Sequence, residues 1–171
     1  MKAKARIFGL PVHQILIVFP LGLLATSFFF DLAYLAKGRA ELAVVASWMI
    51  FAGVLGGLAA SLFGLIDWLA IPRDVRARRI GLVHGAGNVI IVALFAVSWL
   101  LRVEDPAFQP NLLPFVLGLT GAGLALFTAW LGGELVYRLR VAVDDDAHLD
   151  APSSLRTGGV AEVQRTPPTR P

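Results

Sequence analysis

The chain has 171 residues, of which 57% are hydrophobic and only 16% are charged, and its formal net charge at pH 7 is +3. A water-soluble domain of this length could not bury so much apolar surface, so the composition indicates an integral membrane protein. The basic residues bracket apolar segments instead of forming one basic face, which argues against a nucleic-acid partner, and the absence of Cys excludes disulfides and thiolate metal sites.

The chain begins with a basic flank, residues 1–11, that precedes the first apolar run. Lys2, Lys4 and Arg6 in this flank are typical of the start of a signal peptide. The apolar run that follows is longer than a signal peptide requires and lacks a small-x-small cleavage site. We therefore expect the segment to be retained as a cytoplasmic N-terminal flank.

Four apolar runs follow, each longer than the ~20 residues that a helix needs to cross a bilayer. They cover residues 12–34, 42–71, 80–101 and 112–137. Lipid offers the backbone no hydrogen-bond partners, so each run must form a helix. Because the links between the runs are short, consecutive helices must be antiparallel neighbours. The sequence therefore predicts an all-α protein, an integral membrane up-down four-helix bundle over residues 12–143.

The distribution of Lys and Arg predicts the orientation of the bundle. Three such residues precede the first run, four lie in the link 73–79 and five follow the fourth run, against three in the other two links. Flanks rich in Lys and Arg stay on the cytoplasmic side of a membrane, so both termini are expected in the cytoplasm.

The C-terminal part of the chain differs in composition from the rest. Over residues 144–171 the apolar content falls, and Pro, Ser, Thr and Gly become frequent. Such a segment has too little apolar surface to form a core, so it is predicted to be a disordered cytoplasmic tail.

Besides Asp31, four His, Asp or Glu residues lie inside the predicted spans, where an ionised group costs at least ~2.5 kcal/mol near the membrane centre. His13 and His84 follow the starts of the first and third helices, and Asp67 and Glu134 lie about one turn before the ends of the second and fourth. Because the helices alternate in direction, all four are expected in the cytoplasmic half. They either fix the helix packing or converge on one pocket for metal, haem or proton transfer.

One spacing occurs in both outward-running helices. Asp31 follows His13 by 18 residues, and Arg102 follows His84 by the same number. Eighteen residues make five helical turns, or ~27 Å, so each charged residue shares a face with its His. We therefore expect Asp31 and Arg102 to form an ion pair in an outer layer of the bundle.

Two further residues of the outward-running helices bear on the inner polar layer. Asn88 lies one turn after His84 on the same helix face, and we assign it, with Asp67 and Glu134, to a polar cluster beside the two His residues. Pro20 has no N–H to donate to the Leu16 carbonyl, so it is expected to kink the first helix.

Five segments occur in the order found in a bacterial membrane-protein family. They are GLPVH at 9–13, FPLGLL at 19–24, GLIDW at 64–68, RRIGLVHGAGN at 78–88 and WLGGELVYRLRVAV at 130–143. On these motifs the chain resembles the domain-of-unknown-function family 2231. The resemblance covers the membrane part and implies a four-helix protein of the bacterial inner membrane without an assigned activity.

Three functions remain open at this point. We favour a non-catalytic membrane module or assembly partner, because no phosphate loop, nucleophile elbow or HExxH motif is present. An alternative is a b-type haem protein for electron transfer with His13 and His84 as axial ligands. Another is a proton- or metal-linked transport module using His13, Asp67, His84 and Glu134, although no broken helix or internal repeat is apparent. Besides the lipid bilayer, a second copy of the chain or a redox protein is the expected kind of partner.

Overall fold

The computed structural model describes residues 1–155, and its main elements are four long apolar helical segments. The first segment comprises α1 (Val12–Leu16) and α2 (Val18–Lys37), the second is α3 (Ala40–Leu69), and the third is α4 (Arg76–Val103). The fourth comprises α5 (Leu112–Gly133) and a π-helical turn (Glu134–Arg138). All four segments are long and apolar enough to cross a membrane, which confirms the all-α membrane bundle.

The helices pack in chain order around one core. α2 packs on α3, α3 on α4, α4 on α5, and α5 closes the ring by contacting α2. At the centre lie Leu24, Ile50, Ile91 and Phe95, one or two from each of the first three segments. This is the up-down arrangement that short links impose on antiparallel neighbours.

The helices continue past the ends of the apolar runs. α2 extends to Lys37 and ends where Gly38 adopts a left-handed conformation with φ 67°, from which the Gly38 N–H donates to the Tyr34 carbonyl. Glycine adopts this conformation without a steric penalty, so the chain turns directly into α3. α4 begins at Arg76, before the apolar run, because charged residues also form helix at a membrane surface.

The first segment is interrupted at Ile17, between α1 and α2. Pro20 lies one turn later and cannot donate to the carbonyl of Leu16, which weakens the helix at this place. Ile17 keeps a helical conformation, and the bonds from its N–H to the His13 carbonyl and from the Leu21 N–H to its own carbonyl carry the helix through this place, so the segment is locally distorted and remains one span.

The N-terminal residues and the residues after the π-helical turn meet at the end of the bundle that holds His13 and His84, which we call the His end. Residues 6–7 and 10–11 form a two-stranded antiparallel hairpin, β1 and β2. Beyond the π-helical turn the chain continues as turns and irregular backbone, and Asp144 there is bonded to Arg6. The tail predicted to be disordered, residues 144–171, lies outside the described residues from 156 onward.

The structure also contains an internal repeat that the sequence did not reveal. His13 and His84 are 71 residues apart, and the four buried residues of α2 have buried counterparts in α4 at the same offset. The pairs are Pro20 with Ile91, Leu24 with Phe95, Ser27 with Ser98, and Asp31 with Arg102. The first and third segments therefore present the same face to the core, although few of the residue types match.

The second and fourth segments repeat in the same way at an offset of 68 residues. The buried pairs are Ala46 with Pro114, Ile50 with Gly118, Gly53 with Gly121, Ala60 with Thr128, and Asp67 with Leu135. Contacts between helices repeat as well, since Leu24 packs against Gly53 as Phe95 packs against Gly121. The two helical hairpins therefore bury equivalent positions and share equivalent contacts between their helices.

Candidate functional site

A buried ion pair joins the two hairpins at the end of the bundle opposite the His end, which we call the ion-pair end. Arg102 donates two parallel hydrogen bonds of 2.7 Å to the two carboxylate oxygens of Asp31. The side chains are 0% and 2% exposed. The bidentate geometry compensates both charges, as burial away from water requires.

Ser98 supports this ion pair from one turn away on α4. Its hydroxyl donates to the Pro114 carbonyl at 2.8 Å and accepts from Arg102 at 3.2 Å. The ion pair is thereby connected to the start of α5 and reaches three of the four helical segments.

Two buried polar atoms near the ion pair have no hydrogen-bond partner within residues 1–155, the Ser47 hydroxyl and Nε of Arg102. Leu24 contacts Gly53, and the Phe51 ring lies 5.0 Å from the Trp99 ring. Counting along the antiparallel neighbours from these contacts places Ser47 level with both members of the ion pair. The ion-pair end therefore contains a buried hydroxyl that contributes no direct bond to the ion pair.

At the His end, His13 packs between α1 and α3. Its Nδ1 lies 2.8 Å from the Ala60 carbonyl oxygen. A Cβ atom on Gly64, one turn further along α3, would be 2.9 Å from Cε1 of the ring. Gly64 therefore provides the space that the imidazole occupies.

His84 has an equivalent environment between α4 and α5. Its Nδ1 lies 2.9 Å from the Thr128 carbonyl oxygen, and a Cβ atom on Gly132 would be 3.2 Å from Cε1 of the ring. The contacts of the two imidazoles follow the repeat. The two His residues are 71 residues apart, and the carbonyl and glycine residues that they contact are each 68 residues apart. Asn88 adds one difference, since its amide nitrogen lies 3.3 Å from Nε2 of His84 and its counterpart in the first hairpin is Ile17.

These contacts determine the tautomer of both imidazoles. A carbonyl oxygen can only accept, so Nδ1 of each ring must carry the proton. In the neutral ring Nε2 then has a free lone pair. For His13, no partner of Nε2 is present in the described part of the chain, whereas Asn88 is a distant donor to Nε2 of His84.

The two acidic residues of the His end are engaged elsewhere. The Asp67 carboxylate accepts from the backbone N–H groups of Lys4 and Ala5, at 2.7 and 3.2 Å. Glu134 accepts from Arg76 at 3.0 Å. Asp67 therefore anchors the N-terminal segment, and Glu134 links the start of the π-helical turn to the start of α4.

The convergence of His13, Asp67, His84 and Glu134 on one pocket is therefore not found. Among residues 1–155, no three His, Asp or Glu side chains are placed to share a metal ion. Asn88 bonds to the His84 carbonyl and approaches Thr128, but it has no bond to either acid. The expected polar cluster consists of separate contacts because each acid finds a nearer donor in the N-terminal backbone or in an arginine.

Sequence reasoning missed the contacts that hold the N-terminal segment to the tail. Arg6 donates two hydrogen bonds to Asp144, at 2.6 and 2.9 Å, and a further one to the Gly9 carbonyl. The hydrogen bond from Arg6 lowers the pKa of Asp144, and the charges of Arg6, Lys2 and the N-terminus lower it further. The same hydrogen bond raises the pKa of Arg6.

Arg78 has a structural role that its position among other arginines did not reveal. Its guanidinium donates to the carbonyls of Trp68, Leu69 and Ile71 at the end of α3, and it lies 3.9 Å from the centre of the Trp68 ring. A cation placed on the last carbonyls of a helix satisfies acceptors that have no partner in the helix.

Comparison with known proteins supports the membrane assignment. A family model described as "Predicted membrane protein (DUF2231)" matches residues 9–145, which include all four helical segments. Neither the curated proteins nor the solved structures contain a significant match. The chain is therefore a member of the DUF2231 family of predicted membrane proteins, as its motifs indicated.

Proposed function

We propose that the protein is a non-catalytic membrane module in which the polar residues of the spans hold two equivalent hairpins together. The observation that carries this proposal is that the ionisable side chains of the spans are bonded within the bundle. Asp31 pairs with Arg102, the two imidazoles donate to backbone carbonyls, and the two acids at the His end accept from donors of other segments.

Such bonding favours a structural role on energetic grounds. Between helices in lipid the hydrophobic effect is small, so packing and polar contacts must supply much of the association free energy. A group that transfers protons or binds a ligand must also be free to exchange its partner. The bidentate geometry of Asp31 and Arg102 leaves neither carboxylate oxygen free for such exchange.

The proposal is tested by three measurements on detergent-purified protein. We expect no visible absorption band, no stoichiometric transition metal, and the same proton flux in liposomes for the wild type and Glu134→Gln. A stoichiometric metal, or a flux that only the wild type supports, would contradict a purely structural role.

A second candidate is a b-type haem protein with His13 and His84 as axial ligands. It is favoured by the tautomers, because each Nδ1–H donates to a carbonyl and leaves Nε2 as the potential ligand. The repeat supports it as well, since two imidazoles in equivalent positions on diagonal helices suit one ligand between them. It ranks second because the two imidazoles are bonded to different helices, His13 to the Ala60 carbonyl of α3 and His84 to the Thr128 carbonyl of α5.

The visible spectrum separates the two candidates. A haem protein would show a Soret band that is lost in both His13→Ala and His84→Ala. Asn88→Ala is the matched control, because it removes a neighbouring polar side chain and leaves both potential ligands in place.

We further propose that the protein lies in a bacterial inner membrane with both termini in the cytoplasm. The excess of Lys and Arg at the His end supports this orientation. A C-terminal green fluorescent protein fusion should fluoresce, and a C-terminal alkaline phosphatase fusion should be inactive. The reverse result would invert the orientation.

A further inference from the structure

A small apolar cavity of about 260 Å³ opens at the His end. Its walls come from two places in the chain, the link between α3 and α4 and the segment after the π-helical turn. The apolar residues in these walls are Ile71, Pro72, Val75, Ala77, Leu139 and Val141. Met1 and Arg76 complete the lining.

The wall after the π-helical turn has an unusual backbone conformation. Arg140 and Ala142 have φ angles of 54° and 62°, which non-glycine residues rarely adopt. Leu139 and Val141, which precede them, line the cavity. Conformations of this kind cost of order 1–3 kcal/mol each and cluster at binding sites, so the surrounding structure must compensate for them.

The charges beside this cavity are mainly positive. Arg76 lines it, and Arg73, Arg138 and Arg140 are each the chain neighbour of a lining residue. Within residues 1–155, no carboxylate lies within 4.0 Å of these last three arginines. The nearby acids are Glu134, which pairs with Arg76, Asp74, which follows Arg73, and Asp145, which pairs with the N-terminal amine of Met1. Positive charge therefore exceeds negative charge around the opening.

The cavity lies at the level where a membrane changes from hydrocarbon to headgroups. Ile71 follows the end of α3, Arg76 begins α4, and Leu139 follows the end of the π-helical turn. An apolar interior with several arginines at this level matches a phosphate attached to an acyl-bearing glycerol.

We propose that this cavity binds one anionic phospholipid, with its phosphate among the arginines and its glycerol and first acyl carbons against the apolar wall. Free phosphate or an acidic peptide would use the arginines but would leave the apolar wall exposed to water. A phospholipid uses both features and is present wherever the protein lies in a membrane.

Native mass spectrometry of the full-length protein tests the proposal. The protein is mixed with phosphatidylglycerol or phosphatidylcholine of identical acyl chains, and the fraction of protein that retains one lipid is compared. Each arginine near an anionic surface contributes enough binding free energy that the loss of two should weaken phosphatidylglycerol binding about thirtyfold. We expect Arg138→Gln combined with Arg140→Gln to lose phosphatidylglycerol, whereas Lys37→Gln combined with Arg39→Gln, at the opposite end of the bundle, retains it.

A second variant tests the apolar wall without changing charge. Ala77→Phe adds volume inside the cavity and should reduce phosphatidylglycerol retention, and Ala36→Phe is the control at an exposed position at the ion-pair end. Equal retention of the two lipids, equal loss in the charge control, or full displacement of the lipid by inorganic phosphate would each overturn the proposal. The arginine variants test it even if Ala77→Phe does not fold.

Discussion

The ion pair between Asp31 and Arg102 should account for a large part of the stability of the bundle. Asp31→Asn leaves the buried guanidinium of Arg102 without a counter-charge. Arg102→Gln leaves the buried carboxylate of Asp31 without a counter-charge. Both side chains are at most 2% exposed and are joined by two hydrogen bonds of 2.7 Å. Breaking such a buried pair costs about 3–5 kcal/mol, so each single variant should lose that much free energy of unfolding.

Two double variants separate the cost of an unpaired charge from the value of the pair. Asp31→Leu combined with Arg102→Met removes both charges and should be more stable than either single variant by about 3 kcal/mol, since no charge is left unpaired. Asp31→Arg combined with Arg102→Asp exchanges the charges. The internal repeat predicts that this exchange is tolerated, because Ser27 lies one turn from position 31 as Ser98 lies one turn from Arg102.

The assay is reversible unfolding in mixed detergent micelles, followed by far-ultraviolet circular dichroism. The double-mutant cycle gives a coupling energy, which we expect to be at least ~3 kcal/mol. Single variants that each lose less than about 1 kcal/mol would refute the reasoning. The reasoning would also be refuted if the exchanged variant, Asp31→Arg with Arg102→Asp, lost as much free energy of unfolding as the two single variants together, because the two positions would then not be equivalent.

Three further predictions concern packing, hydrogen bonding and pH. Gly132→Leu should destabilise the protein by about 1–3 kcal/mol in the same unfolding assay, because the leucine side chain would displace the His84 ring. Gly123→Leu should be tolerated, because no atom lies near the Cβ position of Gly123. Equal losses of stability in the two variants would contradict the packing of His84 on Gly132. Ser98→Ala should lower the free energy of unfolding by about 1–3 kcal/mol, because it removes two buried hydrogen bonds. Ser47→Ala should be neutral or stabilising, because the Ser47 hydroxyl has no partner in the described structure. A larger loss of stability in Ser47→Ala than in Ser98→Ala would refute this reasoning. The pKa of Asp144 lies below its ordinary value, so its contact with Arg6 is complete at neutral pH and is lost as the pH falls through that lowered pKa. Hydrogen-exchange protection of the β1–β2 hairpin, residues 6–11, corrected for intrinsic rates, should fall in that acidic range for the wild type and be low at every pH in Asp144→Asn, whereas the Lys4 and Ala5 amides, which donate to Asp67, should stay protected in the variant. Hairpin protection that persists in the variant would show that the contact is not needed.

The architecture could be predicted from the sequence because lipid leaves the backbone few alternatives. Apolar runs of sufficient length must form helices, and short links make consecutive helices neighbours. The helix ends were less predictable. Hydropathy marks where apolar residues stop, whereas α2 stops at Gly38, whose left-handed conformation is a local backbone property.

The candidate site could likewise be predicted from the sequence only in part. A spacing of five turns places Asp31 and Arg102 in one layer with opposite charges, so their contact follows from helix geometry. The partners of His13 and His84 are backbone carbonyls, and every residue has a carbonyl, so no sequence pattern identifies which one accepts. Asp67 was unpredictable for the same reason, since it binds the backbone N–H groups of the N-terminal segment.

The internal repeat escaped sequence reasoning because the equivalent positions share burial more often than residue type. Leu24 corresponds to Phe95 and Ile50 to Gly118, so the core of one hairpin compensates in volume for the other. Two signals were nevertheless present in the sequence. His13 with His84 and Ser27 with Ser98 are identical pairs at one offset, and the equal spacing from each His to a charged residue follows from the same repeat.

Nitrogen NMR of the two imidazoles, in ¹⁵N-histidine-labelled protein reconstituted in bilayers, measures directly which ring nitrogens carry protons. If the imidazoles are bonded to the Ala60 and Thr128 carbonyls, Nδ1 of both His13 and His84 should carry a proton, and Nε2 should have no metal or haem ligand. An unprotonated Nδ1 in either ring would contradict this bonding.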